Sequence, residues 1–170
     1  MATTYETTVV VLQAILNTLT HILKKAEQHP NASTFITGAR LHENMYPLAD
    51  QIRIATQFSE FLAARLTGRP PVILGQNPTS FAESYERIET VQKTLREADR
   101  NTVNEYGDKI ESTQRGPEEA VDMSGAAYAH TIVLPNIYFH LTTAYGILRK
   151  EGVGLGKRDY YEGFFPVQGQ

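Results

Sequence analysis

The sequence predicts an all-α fold, a four-helix bundle. Four stretches carry apolar residues at three- and four-residue steps, the spacing that lines one face of a helix. Prolines or glycines stand where three of those stretches stop, at Pro30, Gly68 and Gly152. Elements with one apolar stripe each bury it by packing on one another, and four of them make a bundle.

The first stripe is Val9, Leu12, Leu16, Leu19 and Leu23. Lys24 and Lys25 suit the negative end of a helix macrodipole, and Pro30 stops it. Residues 31–43 read as a connector. A second helix is expected over residues 44–67, with Met45, Leu48, Ile52, Ala55, Ser59, Leu62 and Leu66 on its inner face. Pro47 is tolerated there in the first turn, and Gly68 with Pro70-Pro71 closes the helix. Ser80-Phe81-Ala82-Glu83 has the form of a capping box, followed by Phe81, Tyr85, Ile88, Val91 and Leu95 to about Ala98. Residues 99–119 are polar, interrupted by Gly107 and Gly116-Pro117, and lack a sustained period; they read as an excursion with a short extended piece at 109–112. The chain becomes helical again from Ser124. Pro135, which has no N–H for the carbonyl four residues back, is expected to kink one long helix or start a new one that runs to Lys150.

With 170 residues, 41% of them hydrophobic and 21% charged, the chain fits a single globular domain, residues 1–170. The net charge of −3 comes with no basic stripe, which argues against a nucleic-acid partner. The absence of cysteine removes disulfides, thiolate metal ligands and thiol nucleophiles together. Residues 7–23 lack a positive leading segment and are interrupted by Gln13, Asn17, Thr18, Thr20 and His21, so neither a signal peptide nor a membrane span is expected. Cytoplasm is the default location.

Gly152-Val153-Gly154-Leu155-Gly156-Lys157 invites comparison with a phosphate-binding loop, but the spacing is wrong and Arg158 stands where a hydroxyl is needed. It reads as a helix cap and turn. Among the five histidines (21, 29, 42, 130 and 140) no pair has the four-residue spacing that brings two imidazoles to one metal. His140 is the exception of interest. At about 100° per residue it falls inside the buried arc set by Ile137, Leu141, Ala144, Ile147 and Leu148. An imidazole there must find polar partners, and it can serve as acid, base or ligand near neutral pH. Asn136 lies one turn before it and Thr143 one turn after. Gln51, His42 and Tyr46 of the second helix and its approach are the other candidates for the same cavity.

The run Leu134-Pro135-Asn136-Ile137-Tyr138-Phe139-His140-Leu141-Thr142-Thr143-Ala144-Tyr145-Gly146, with Gly152-Val153 and Gly156-Lys157-Arg158-Asp159-Tyr160 beyond it, resembles an uncharacterised family of the DinB-like superfamily. Leu48, Gln51 and Ile52, with Ala63-Ala64-Arg65-Leu66-Thr67-Gly68, resemble its second helix. The resemblance implies an up-down-down-up bundle and a homodimer. Metal-binding members of the superfamily hold a metal with one histidine on the second helix and a His-x-x-x-His pair on the last. Those positions fall here on Gln51, Asn136 and His140, so only one imidazole is kept. An asparagine amide is a poor substitute for an imidazole, and no tightly bound metal or other cofactor is expected.

The expected function is therefore a metal-independent small-molecule enzyme of the isomerase or lyase type. His140 would move a proton while Asn136, Gln51, Tyr46, His42 and Thr143 bind the substrate. The alternatives are a non-catalytic module for a small ligand, or a metal enzyme with an altered ligand set.

Overall fold

The computed structural model of the chain describes residues 1–114 and 119–169. Its four long helices are those with the predicted stripes. A short helix α1 (Thr4–Thr7), capped by Thr3, leads into α2 (Val9–Glu27), whose Leu12, Ile15, Leu16, Leu19, Ile22 and Leu23 are wholly buried. By length and composition Thr4–Glu27 could cross a membrane. That apolar stripe is instead spent on the bundle interior, the pattern of a core helix.

The connector is more ordered than its sequence suggests. A turn of 3-10 helix (Ala32–Thr34) and the short α3 (Phe35–Gly38) place Phe35 and Ile36 in the core. Helix α4 (Leu48–Thr67) begins four residues later than expected, because Pro47 is extended (φ −69°, ψ 174°) and precedes the helix. Its end follows expectation. Gly68 takes a left-handed conformation (φ 67°) while Arg69 N–H reaches back to the Ala64 carbonyl at 3.1 Å. A residue with a Cβ would be strained at that φ.

Helix α5 (Phe81–Glu97) opens with half of the predicted capping box. Ser80 Oγ accepts from Glu83 N–H at 3.2 Å, but the Glu83 carboxylate turns to Thr79, taking its N–H at 2.7 Å and its hydroxyl at 3.0 Å. The excursion is corrected more substantially. Asp99 caps a further helix, α6 (Arg100–Asp108), and an antiparallel hairpin follows, β1 (Ile110–Gln114) paired with β2 (Ala120–Ser124). The predicted break at Gly116-Pro117 lies outside the described residues.

Pro135 stands in the first turn of α8 (Leu134–Lys150), the second of the two expected outcomes, and α7 (Gly125–Tyr128) leads into that helix through a π-helical turn (Ala129–Val133). The wider turn relieves the clash between a proline ring and the carbonyl one turn back, which is how a proline survives inside a helix. After Gly152 (φ 88°) the chain folds back as α9 (Lys157–Tyr161) and a 3-10 segment (Glu162–Gly169) against α2. Gly163 is needed there: its N–H donates to Thr18 Oγ1 at 3.1 Å, and a Cβ would collide with the Ala14 carbonyl.

In the bundle α2 and α4 each lie against both α5 and α8. The first two long helices thus sit on a diagonal, which explains the long connector between them. The α4–α8 seam is the most extensive of these contacts and carries the predicted site.

Candidate functional site

Leu48, Ile52, Ala55 and Leu62 of α4 meet Ile137, Leu141, Ala144 and Leu148 of α8 in the core. Two polar side chains interrupt this seam. Gln51 is 2% exposed and His140 7% exposed. His140 Nδ1 lies 2.7 Å from Gln51 Oε1, and Gln51 Nε2 donates to the Tyr46 carbonyl at 2.9 Å. This chain of contacts fixes both groups. A carbonyl can only accept, so the nitrogen end of the Gln51 amide must face Tyr46 and its oxygen must face His140. The hydrogen between them then belongs to Nδ1, and in the neutral ring Nε2 keeps the lone pair.

Burial pushes the His140 pKa below its ordinary value; Arg53 adds to that effect and Asp50 opposes it. Desolvation disfavours the charged ring, so His140 is a neutral base at physiological pH. Phe139 packs edge-on against the imidazole, with ring centres 5.3 Å apart. Asn136, one turn earlier, has a buried Nδ2 without a hydrogen-bond partner. Thr143, one turn later, is 6% exposed. Nearby, on the outer side of α8, Leu41, Phe139, Thr143 and Gly146 line a groove of about 560 Å³.

The remaining candidates are not gathered here. The Tyr46 ring is 63% exposed, and the residue meets the site through its backbone carbonyl alone. His42 is exposed and its Nδ1 pairs with Asn44 Oδ1 at 2.8 Å. His130 is exposed, His29 packs on Phe35, and His21 pairs with Asp159 at 2.8 Å. Among the described residues no three His, Asp or Glu side chains come together as a metal site would need. The three-histidine pattern does not fit the donors of this seam. Gln51 Oε1 is already engaged by Nδ1, which leaves one imidazole nitrogen and one asparagine amide.

Residues 4–161 match the family described as a domain of unknown function, DUF1993. The chain belongs to this family. A crystal structure of a DinB family member protein from Shewanella denitrificans is similar over 92% of this chain and 90% of that one, with 31% identity and a TM-score of 0.79. The two findings agree on a DinB-like, mainly helical domain of unknown function. No curated protein matches the DUF1993 chain in sequence.

Sequence reasoning missed Arg87. It is 8% exposed on the inner side of α5, with Nη2 buried and unpartnered. The signal was present, since Ser84, Arg87, Val91 and Leu95 share a helical stripe.

Proposed function

We propose that this domain is a small-molecule enzyme of the isomerase or lyase type, without a tightly bound metal, in which His140 Nε2 takes up and returns a proton. The observation that carries the reading is the bridge from His140 Nδ1 through Gln51 to the Tyr46 carbonyl. It holds the ring in one tautomer and one orientation, as a general base requires. The lowered pKa keeps Nε2 unprotonated at neutral pH. Asn136, with its free amide N–H groups, and the Thr143 hydroxyl are the groups to orient a carbonyl or phenol substrate. Gln51 becomes a positioning residue in this scheme. Proton transfer, dehydration, isomerisation and cyclisation all fit such a base.

The groove beside Thr143 and Phe139 is the substrate's approach. His140 does not line that groove, so the scheme requires the irregular connector bearing Leu41 to move. Phe139, 57% exposed on α8 at the edge of this groove, is the side chain we assign to a homodimer contact.

The test does not need the natural substrate. Small ketones, aldehydes and phenols are incubated with the protein in D2O, and deuterium incorporation is followed by NMR. The wild type is expected to accelerate exchange at acidic C–H positions, and His140→Gln to abolish it. Equal exchange by both proteins would defeat the reading. Ligand-induced thermal stabilisation without any exchange would favour a non-catalytic binding module instead.

A further inference from the structure

A second polar site lies on the far side of α4 from His140. Arg87 is buried by its own helix, by α4 and by the loop that joins them. Its Nε donates to Thr56 Oγ1 at 2.7 Å, and its Nη1 donates to the carbonyls of Leu74 at 2.9 Å and Gln76 at 3.1 Å. Every acceptor is neutral. Nη2 is buried with no partner, and no carboxylate among the described residues forms an ion pair with the guanidinium. Half-buried Arg69 and Arg53 differ from it, since they pair with Glu60 and Asp50. Half-buried Arg65, like Arg87, donates to neutral acceptors and has a buried nitrogen without a partner, but its guanidinium lies over the Tyr128 ring. A buried cation without a counter-charge is costly, and folds retain one chiefly where something else supplies the charge.

Arg87 also lines a cavity of about 580 Å³ between the loop and α5. Val72, Ile73, Leu74 and Pro78 supply apolar surface to its wall, and Val72 and Ile73 are 55% and 72% exposed. A pocket of this size, with an apolar strip on the loop side and a buried cation at its wall, has the form of a small-ligand site. We propose that this cavity binds a small monocarboxylate with an apolar body, its carboxylate against the Arg87 guanidinium and its tail along Val72, Ile73 and Leu74.

The charge of the ligand follows from the opposite wall. Glu83 and Glu86 also line the cavity. Two carboxylates repel a multiply charged phosphate more strongly than a single carboxylate, and a carboxylate suits the planar guanidinium. Burial and the neighbouring Arg53 lower the Arg87 pKa, the direction expected of a cation that lacks a counter-charge.

Titration of the full chain with hexanoate, 1-hexanol and inorganic phosphate, followed by 1H–15N NMR, tests the proposal. Hexanoate is expected to shift the amides of residues 74–77 and the Arg87 side-chain N–H with a millimolar dissociation constant, about 1–10 mM. Hexanol and phosphate are expected to leave them unmoved. Arg87→Gln should abolish the response. Should that variant fail to fold, Glu86→Gln, an exposed change, keeps the test open by tightening hexanoate binding about two- to fivefold through loss of a like charge. His140→Gln should leave this binding unchanged, which separates the site from the proposed catalytic one. Equal shifts from hexanoate and hexanol, a stronger response to phosphate, or no response to hexanoate at about 10 mM would overturn it.

Discussion

His140 Nδ1 and Gln51 Oε1 lie 2.7 Å apart at the centre of the α4–α8 seam, each side chain more than nine-tenths buried. Neither group has a comparable alternative partner for that contact, so the two define each other's orientation. Removing the glutamine therefore has two separable effects. Gln51→Leu leaves a buried Nδ1–H unsatisfied, which is expected to cost about 1–3 kcal/mol in denaturant unfolding. It also releases the ring to exchange tautomers. Unchanged stability and an unchanged tautomer would show that the bridge does not hold the ring.

Gln51→Glu probes the electrostatics of the same contact. A carboxylate against Nδ1–H favours the imidazolium, so the His140 pKa should rise relative to wild type. A proton titration of the ring resonances by NMR reads this directly. A fall or no change would mean that the side chain at 51 no longer faces His140.

The lowered His140 pKa makes stability depend on pH. The unfolded ring binds a proton near pH 6.5, while the folded ring resists it to lower pH. Between those two values the unfolded state holds more protons, so stability is present above about pH 6.5 and is lost as the pH falls below it. Urea melts of wild type and His140→Gln at pH 7.5 and at pH 5 should show the wild type losing more stability on acidification. Parallel losses would contradict the assignment.

Asp159 ties the C-terminal segment to α2. Burial alone would raise its pKa, but His21 at 2.8 Å, Lys25 at 2.9 Å and the Gly156 N–H at 2.7 Å hold it well below the usual carboxylate range. Asp159→Asn is expected to cost about 1–3 kcal/mol and to raise hydrogen exchange in α9 ahead of the bundle. Exchange in α9 equal to wild type would place the anchor elsewhere, at Thr18 and Gly163.

The homodimer proposed above would use the outer face of α8. Phe139→Glu puts a charge on its most exposed large side chain and should yield a monomer by sedimentation velocity. A wild-type chain that sediments as a monomer at every concentration would remove the dimer from the account.

The long helices were legible in the sequence because each has a stripe long enough to repeat, as Leu12, Leu16, Leu19 and Leu23 do in α2. Helix α6 was not, since Val103 and Gly107 are its only buried residues and two positions make no period. Of the hairpin only the extended piece at 109–112 was legible, and it overlaps β1; the pairing with β2 was hidden. It is fastened by Arg65, whose guanidinium donates to Thr113 Oγ1 at 2.6 Å and the Met123 carbonyl at 2.7 Å. Such long-range contacts leave no local signature. At the site, helical phase alone put His140, Asn136 and Thr143 on one side of α8. Gln51 was a candidate for the same cavity, and the structure buries it there. Phase could not show that Tyr46 contributes a carbonyl rather than a ring, nor that His42 turns to Asn44. Both depend on Pro47 standing before α4 instead of inside it.

The state of the His140 ring is the quantity on which the catalytic reading stands. A long-range 1H–15N spectrum of the full chain at pH 7 resolves which nitrogen bears the proton. The account predicts a neutral ring protonated at Nδ1, with Nε2 free and a pKa below about 6.5. A ring protonated at Nε2, or an imidazolium at pH 7, would contradict it.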